Sequence, residues 1–289
     1  MLTNTLTVDN IIKIIETPRD GFQALGTIIP TTEKVQYINQ LLRCGFQTVE
    51  VGSFVSPRII PQMADTAEVL NQLDLNGVTS EIAVLTATEK GGQLACSFKQ
   101  VDQVFFPFST SPTFLRKNIN STLKQADQTI DGIQNNCLKH SKELVVFFSM
   151  GFGSVYGDPW SMDILYEWVD RMMGKELNVF PFSDIFGETD PLVIEKVFRL
   201  LIKEFPDAEF GLHLHSLPNK RIEKVAAAYR AGIRRFDTVI GGLGGCPQTG
   251  KELVGNLPLE ALLEFCDLHK VHHELNLNEI KKARDLSPV

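Results

Sequence analysis

The stretch Glu209-Phe-Gly-Leu-His-Leu-His215 carries the pattern that decides the fold. In an extended strand successive side chains point to opposite faces. Phe210, Leu212 and Leu214 therefore share one side, while Gly211, His213 and His215 share the other. The apolar side must be covered, and the two imidazoles stand close together at the strand's last turn. Seven further runs, mostly apolar at successive positions, lie along the chain at 11–15, 48–52, 81–86, 103–108, 144–149, 178–183 and 235–240. Such runs suit parallel strands covered on both sides. Helical patterns fill the gaps. Val35, Ile38, Leu41 and Leu42 fall on one face after a cap at Thr31. Thr189-Asp-Pro191 caps a second helix that ends before Pro206, and a third, through Val225, Ala226, Ala228 and Tyr229, stops at Gly232. Strand and helix alternate eight times over about 250 residues, which predicts the α/β class and one closed (β/α)8 TIM barrel. An open doubly wound sheet would read similarly, but its usual glycine fingerprint is missing. No Pro- or Ser-rich linker divides the chain. The expected organisation is a tail over 1–10, a single barrel over 11–267, and a charged helical extension over 268–289 that packs on the barrel or on a partner subunit.

Composition narrows the function classes. The 289 residues include 28 Lys+Arg against 35 Asp+Glu, a net charge of −7, and 43% are hydrophobic. That is too apolar for disorder, and the acidic balance argues against nucleic-acid binding. No stretch approaches the roughly 18 consecutive apolar residues of a membrane span, and residues 1–10 lack the pattern of a secretory signal. Cys44, Cys96, Cys137, Cys246 and Cys266 are odd in number and form no CxxC pair, so neither a disulfide framework nor a zinc knuckle is expected. A soluble, cytoplasmic protein with no nucleic-acid or membrane partner is the expectation.

A barrel collects its chemistry at the carboxyl ends of its strands. His213 and His215 can converge there on a metal ion, or serve as two hydrogen-bonded interior histidines. Arg19 and Asp20 follow the first run, in Glu16-Thr-Pro-Arg-Asp-Gly21, where a surface salt bridge is the plain alternative. Glu50 sits inside Thr48-Val-Glu-Val-Gly52, where an unpaired carboxylate is costly. Asp184 closes the sixth run. Gly241-Gly-Leu-Gly-Gly-Cys-Pro247 follows the eighth and puts Cys246 on a mobile loop, either as a thiol that exchanges a proton or as a small buried hydrophobe. Five strand ends thus deliver these groups to one face, where accident would scatter them.

Thr17-Pro-Arg-Asp-Gly-Phe-Gln23, Ser53-Phe-Val-Ser-Pro57 with Pro61-Gln-Met63, Lys117-Asn-Ile-Asn120 and the Gly241–Pro247 loop occur in an order that resembles the 3-hydroxy-3-methylglutaryl-CoA (HMG-CoA) lyase family. The resemblance runs from about Ile14 to Asn256 and implies a metal-dependent (β/α)8 barrel. It implies Asp20, His213, His215 and Asn256 as ligands of Mg²⁺ or Mn²⁺. Arg19 would then face the substrate thioester oxygen, Glu50 and Asp184 would line the reaction centre, and His213 or Asp184 would be the base. Cys246 would be the loop thiol, and Gln23, Arg116, Lys117 and Asn118 would contact substrate. For the last three, CoA phosphates are the target and an exposed basic turn is the alternative. The implied reaction cleaves HMG-CoA to acetoacetate and acetyl-CoA, as in leucine degradation, by a homodimer.

The chain departs from that family pattern near the site. Asp184-Ile-Phe-Gly187 stands where Asp-Thr-Ile-Gly is usual, Ser216-Leu-Pro218 where Asp-Thr is usual, and Ser154 where a cysteine is common. The run from Gln248 to Asn256 is one residue longer. Two alternatives follow. One is a related hydroxyacyl-CoA lyase or aldolase acting on another acyl group, marked by a larger or more apolar pocket beside Ile185 and Phe186. The other is a catalytically silent metal-binding homologue, against which Arg19 and Cys246 speak, because binding alone needs neither.

Overall fold

The computed structural model describes residues 10–23, 25–215, 217–245 and 254–288. The first half runs β1 (Lys13–Glu16), α1 (Pro18–Phe22), α2 (Thr31–Leu41), β2 (Thr48–Ser53), α3 (Thr66–Asn71), β3 (Glu81–Leu85), α4 (Glu89–Ser97) and β4 (Gln103–Ser109). Next come α5 (Pro112–Ile119), α6 (Leu123–Lys139), β5 (Glu143–Ser149), α7 (Met162–Met173), β6 (Val179–Asp184) and α8 (Pro191–Glu204). The chain ends with β7 (Glu209–Leu214), α9 (Arg221–Ala231), β8 (Arg235–Thr238), α10 (Leu259–His269) and α11 (Leu277–Asp285). Each strand pairs in parallel with the next. β8 returns to β1, with Lys13 opposite Arg235 and Glu16 opposite Thr238, so the sheet closes into an eight-stranded barrel. Closure removes the doubly wound alternative.

All eight expected strands are present, with ends shifted by one or two residues. β1 starts at Lys13 because Ile11 instead bridges to His272. β8 stops at Thr238 because the Ile240 amide donates to Glu16 Oε1 (2.7 Å), and a 3-10 turn at Ile240–Gly242 follows. Thr31 is not the cap of α2: Pro30 holds that position, and the Thr31 hydroxyl donates to Asp65 Oδ2 at 2.8 Å. The other boundaries fall as their chemistry requires. Asp190 Oδ1 accepts from the Leu192 amide (2.8 Å) at the start of α8, and α9 ends at Gly232, whose φ of 113° suits glycine.

Alternation along the strands sorts the core into two layers. Ala83, Leu85, Phe105, Val145, Phe147 and Val179 form a cluster of their own inside the barrel. Val84, Phe106, Val146, Phe180 and Leu212 belong to the larger cluster shared with the outer helices. The C-terminal α11 packs beside α2: Ile280 and Ala283 are buried, and Gln40 Nε2 donates to Glu279 Oε2 at 2.8 Å. Among the described residues no helix is long and apolar enough to cross a membrane, and Cys44, Cys96, Cys137 and Cys266 are buried and free.

Candidate active site

β1 delivers the first group. Pro18 opens the short α1 directly after the strand, and this turn brings Arg19 and Asp20 in as buried residues, 7% and 6% exposed. Arg19 Nε donates to Glu50 Oε1 at 2.8 Å, and its Nη2 lies 2.6 Å from the same oxygen. Nη1 donates to Gln23 Oε1 (2.9 Å) and to Asp20 Oδ1 (3.2 Å), and the Gln23 amide donates back to Asp20 Oδ1. One guanidinium therefore ties the ends of β1 and β2 together. The carboxylate buried in β2 is paired, as its position demanded.

β7 delivers the histidines. Their rings lie 5.2 Å apart, centroid to centroid. His213 Nδ1 donates to Asp237 Oδ2 (3.1 Å) on β8, while His215 Nδ1 donates to the Val254 carbonyl (3.0 Å). Both acceptors can only accept, so each ring keeps its Nε2 available on the other side. His213 Nε2 is 4.0 Å from Asp20 Oδ2. One ligand atom each from Asp20, His213 and His215 falls within 4.8 Å of the others. Asn256 joins them: it bridges to His215 and places its Nδ2 at 2.8 Å from Asp20 Oδ2. One carboxylate and two neutral-capable imidazoles, anchored from behind and sharing a face, fit a divalent cation.

The charges shape one another. Burial would raise Asp20, but the charges of Arg19, His213 and His215 and the Asn256 hydrogen bond hold its carboxyl below the ordinary range. Burial pushes Glu50 up to about 7, against the pull of Arg19. For His213 burial works downward, yet Asp237, Asp20 and Glu50 together raise it. His215 is lowered, by burial and by its neighbour His213.

Asp184 ends β6 beside this cluster, and its carbonyl accepts from the His215 amide at 3.1 Å. It lines a cavity of about 220 Å³ together with Met150, Phe152, Ser183, Ile185 and Phe186. Arg116, Lys117 and Asn118 stand apart from the cluster on α5, where Arg116 and Lys117 are exposed. Lys117 reaches the cavity wall indirectly: its Nζ lies 4.9 Å over the Tyr156 ring, which packs on Phe186. Cys246 and Ser216 lie outside the described residues. The glycine segment before Cys246 presses on the site, since a Cβ on Gly244 would come within 2.7 Å of both Asn256 Nδ2 and the Asp20 carbonyl.

Structure thus brings the buried Arg19, Asp20, Glu50, His213, His215 and Asn256 into one group with the half-buried Gln23, and Asp184 at its side. Three further charged residues were not anticipated. Asp237 orients His213. Glu16 accepts from the Thr238 hydroxyl (2.9 Å) and the Ile240 amide, so it fixes the turn that leads into the glycine loop. Lys224 is fully buried on α9. A signal existed for two of them. Asp237 lies two residues from Arg235 in a short strand, and Lys224 shares the stripe of Ala228 and Ala231, where a solvated side chain has no place.

A closed (β/α)8 barrel with a carboxylate and two histidines gathered at its strand ends belongs among the TIM-barrel proteins equipped to hold a divalent cation. Within that class, the chain belongs to the HMGL-like family, whose model matches residues 11–286. It is 32% identical over 271 residues to a hydroxymethylglutaryl-CoA lyase of Bacillus subtilis (strain 168), covering 92% of this chain and 88% of the relative. It is 29% identical over 276 residues to the mitochondrial hydroxymethylglutaryl-CoA lyase of Rattus norvegicus, covering 95% and 84%. Among solved structures, an HMG-CoA lyase of A. baumannii in complex with coenzyme A and 3-methylmalate superposes with a TM-score of 0.89 at 25% identity, over 98% of this chain and 92% of that one.

Proposed function

We propose that this protein is a carbon–carbon lyase that cleaves HMG-CoA to acetoacetate and acetyl-CoA with the help of Mg²⁺ or Mn²⁺. The observation that carries the reading is the convergence of Asp20, His213 and His215 beside the buried Arg19–Glu50 pair, in a chain of this family. Those three residues and Asn256 would hold the cation, and the mixed carboxylate, imidazole and amide set suits Mg²⁺ or Mn²⁺ better than a closed zinc site. When bound, the ion supplies Lewis-acid polarisation of the substrate's oxygens.

The residues of the chain do the rest. Asp184 accepts the proton of the C3 hydroxyl, because His213, whose Nδ1 donates to Asp237 and whose Nε2 would hold the cation, keeps no lone pair for it. The O–H electron pair becomes the new carbonyl bond at C3 as the C2–C3 bond breaks, which frees acetoacetate. The broken bond's pair passes to C2 and leaves the enolate of acetyl-CoA, whose oxygen Arg19 faces as a fixed cation. Glu50 and Gln23 keep that guanidinium in place. A proton returned to C2, with Cys246 as the donor, completes acetyl-CoA. Arg116, Lys117 and Asn118 on α5 would meet the CoA phosphates. The coenzyme A held by the A. baumannii lyase supports an acyl-CoA substrate here.

One observation favours a second reading within the same chemistry. The cavity beside Asp184 carries Met150, Phe152, Val155, Ile185 and Phe186 on its wall beside Ser154, Ser183, Glu188 and Thr189, and its apolar portion would take a more apolar acyl group. Incubating the metal-loaded protein with HMG-CoA and with other branched 3-hydroxyacyl-CoA esters, and identifying products by mass spectrometry, separates the two. Acetoacetate and acetyl-CoA in equal amounts from HMG-CoA support the first reading, whereas faster cleavage of a bulkier ester supports the second. Cleavage of none refutes both.

A further inference from the structure

Lys224 is an anomaly on its helix. Its neighbours along the covered face of α9 are Ala227, Ala228 and Ala231, and the lysine is 0% exposed. Its Nζ donates to Asp184 Oδ2 at 2.7 Å and to the Gly187 carbonyl at 2.7 Å. The Thr189 amide donates to the same carboxylate oxygen at 3.2 Å. Asp184 Oδ1 takes no hydrogen bond from any described residue. Asp184, Ile185, Phe186, Glu188 and Thr189 all line the cavity beside the histidines, and Gly187 makes the turn between them at φ 66°.

One ammonium group therefore holds both the carboxylate and the loop that continues from it. Stability alone does not account for such an arrangement. A buried ion pair repays little more than its desolvation cost, and an apolar side chain would have suited the alanine stripe as well. What an apolar side chain could not do is commit one oxygen of Asp184, balance its charge, and pin the Gly187 turn. We infer that Lys224 is a positioning residue for the lyase reaction, acting through Asp184 and the 185–189 loop to present the second carboxylate oxygen to the acyl group. This rests on the lyase reading, with Asp184 at the reaction centre.

The test uses Lys224→Met, which keeps the length of the side chain and removes its charge, together with Lys224→Arg and Lys224→Ala. Steady-state kinetics with HMG-CoA are read beside Mn²⁺ affinity by electron paramagnetic resonance, which reports the metal site without turnover. The expected outcome for Lys224→Met is a kcat about 100-fold lower, with KM and Mn²⁺ affinity held within about threefold, because misplacement of a reacting group acts on the chemical step. Lys224→Arg recovers part of the loss. If Lys224→Met does not fold, Lys224→Ala decides: propylammonium restores its kcat saturably, while propanol, of the same size but neutral, does not. A folded Lys224→Met with wild-type kcat overturns the inference, as does rescue of Lys224→Ala by propanol and propylammonium alike. Absence of turnover by the wild-type protein refutes the lyase reading first, and the inference with it.

Discussion

Asp237 decides which nitrogen of His213 faces the other ligands. By accepting the hydrogen bond from Nδ1–H at 3.1 Å it leaves Nε2 toward Asp20. Replacing Asp237 by Asn removes the charge that holds this orientation, and Mn²⁺ affinity measured by calorimetry should fall about 10–100-fold with the fold intact. Unchanged affinity would show that the packing around His213 suffices without it. A second residue makes a statement about pH. Burial drives Glu16 from an ordinary carboxyl value of 4.5 up to about 8, opposed by its bonds to Ile240 and Thr238 and helped by the charge of Glu260. Between those two values the folded protein keeps a proton that the unfolded chain has released. Stability contributed by Glu16 is therefore full below about 4.5 and is lost as pH rises to about 8. Urea unfolding of Glu16→Gln should show a flatter pH profile than wild type across that window, and parallel profiles would contradict it. The pair of histidines was legible in the sequence because period-two spacing alone puts them on one face. The roles of Asp237, Glu16 and Lys224 were not, although the positions of Asp237 and Lys224 carried a signal, since what makes a buried charge tolerable is a partner from another strand or helix: His213, Thr238 and Asp184 lie 24, 222 and 40 positions away.

Elements explain why the site is where it is. The loop after β8 can approach Asp20 only because it is glycine. Gly244 has φ 96° and no room for a Cβ beside Asn256 and the Asp20 carbonyl. Gly244→Ala should lower kcat/KM by about tenfold or more while melting only a few degrees below wild type, because the strain falls on the site rather than on the core. Full activity in that variant would mean that the loop sits elsewhere during turnover. The strands were legible because parallel strands are apolar in continuous runs, and the two largest shifts, at the start of β1 and the end of β8, fall where another partner took over, Ile11 bridging to His272 and the Ile240 amide donating to Glu16. Thr31 misled for a local reason. Pro30 already occupies the capping position, and the threonine hydroxyl is drawn to Asp65 from the next crossover. The C-terminal helix was legible as a helix seated on the barrel or on a partner subunit, and its seat on the barrel rests on Gln40 and on the Asn276 amide donating to Cys44 O at 2.8 Å.

For the molecule as a whole, the barrel's interior layer is what keeps eight strand ends in register beneath the site. Phe105 is fully buried there and packs on Phe147 at 5.0 Å between centroids, while Phe147 meets the His213 ring edge-on at 5.6 Å. Phe105→Ala should cost about 3–5 kcal/mol of unfolding free energy by urea titration, through lost burial and the cavity left behind. A loss below about 1 kcal/mol would mean the layer collapses freely around the gap. The same architecture brings residues from α1, β2, β7 and β8 and from the segment at Asn256 to one place, although they span 238 positions of sequence from Arg19 to Asn256, both ends included. The central claim is that these residues form a metal-dependent carbon–carbon lyase. It is met most directly by acetoacetate release from HMG-CoA, followed with Mg²⁺ or Mn²⁺, after chelation, after metal is restored, and in His213→Ala. The account predicts release that stops on chelation, returns with the ion, and is absent in the variant. Release that persists through chelation or in His213→Ala would contradict it.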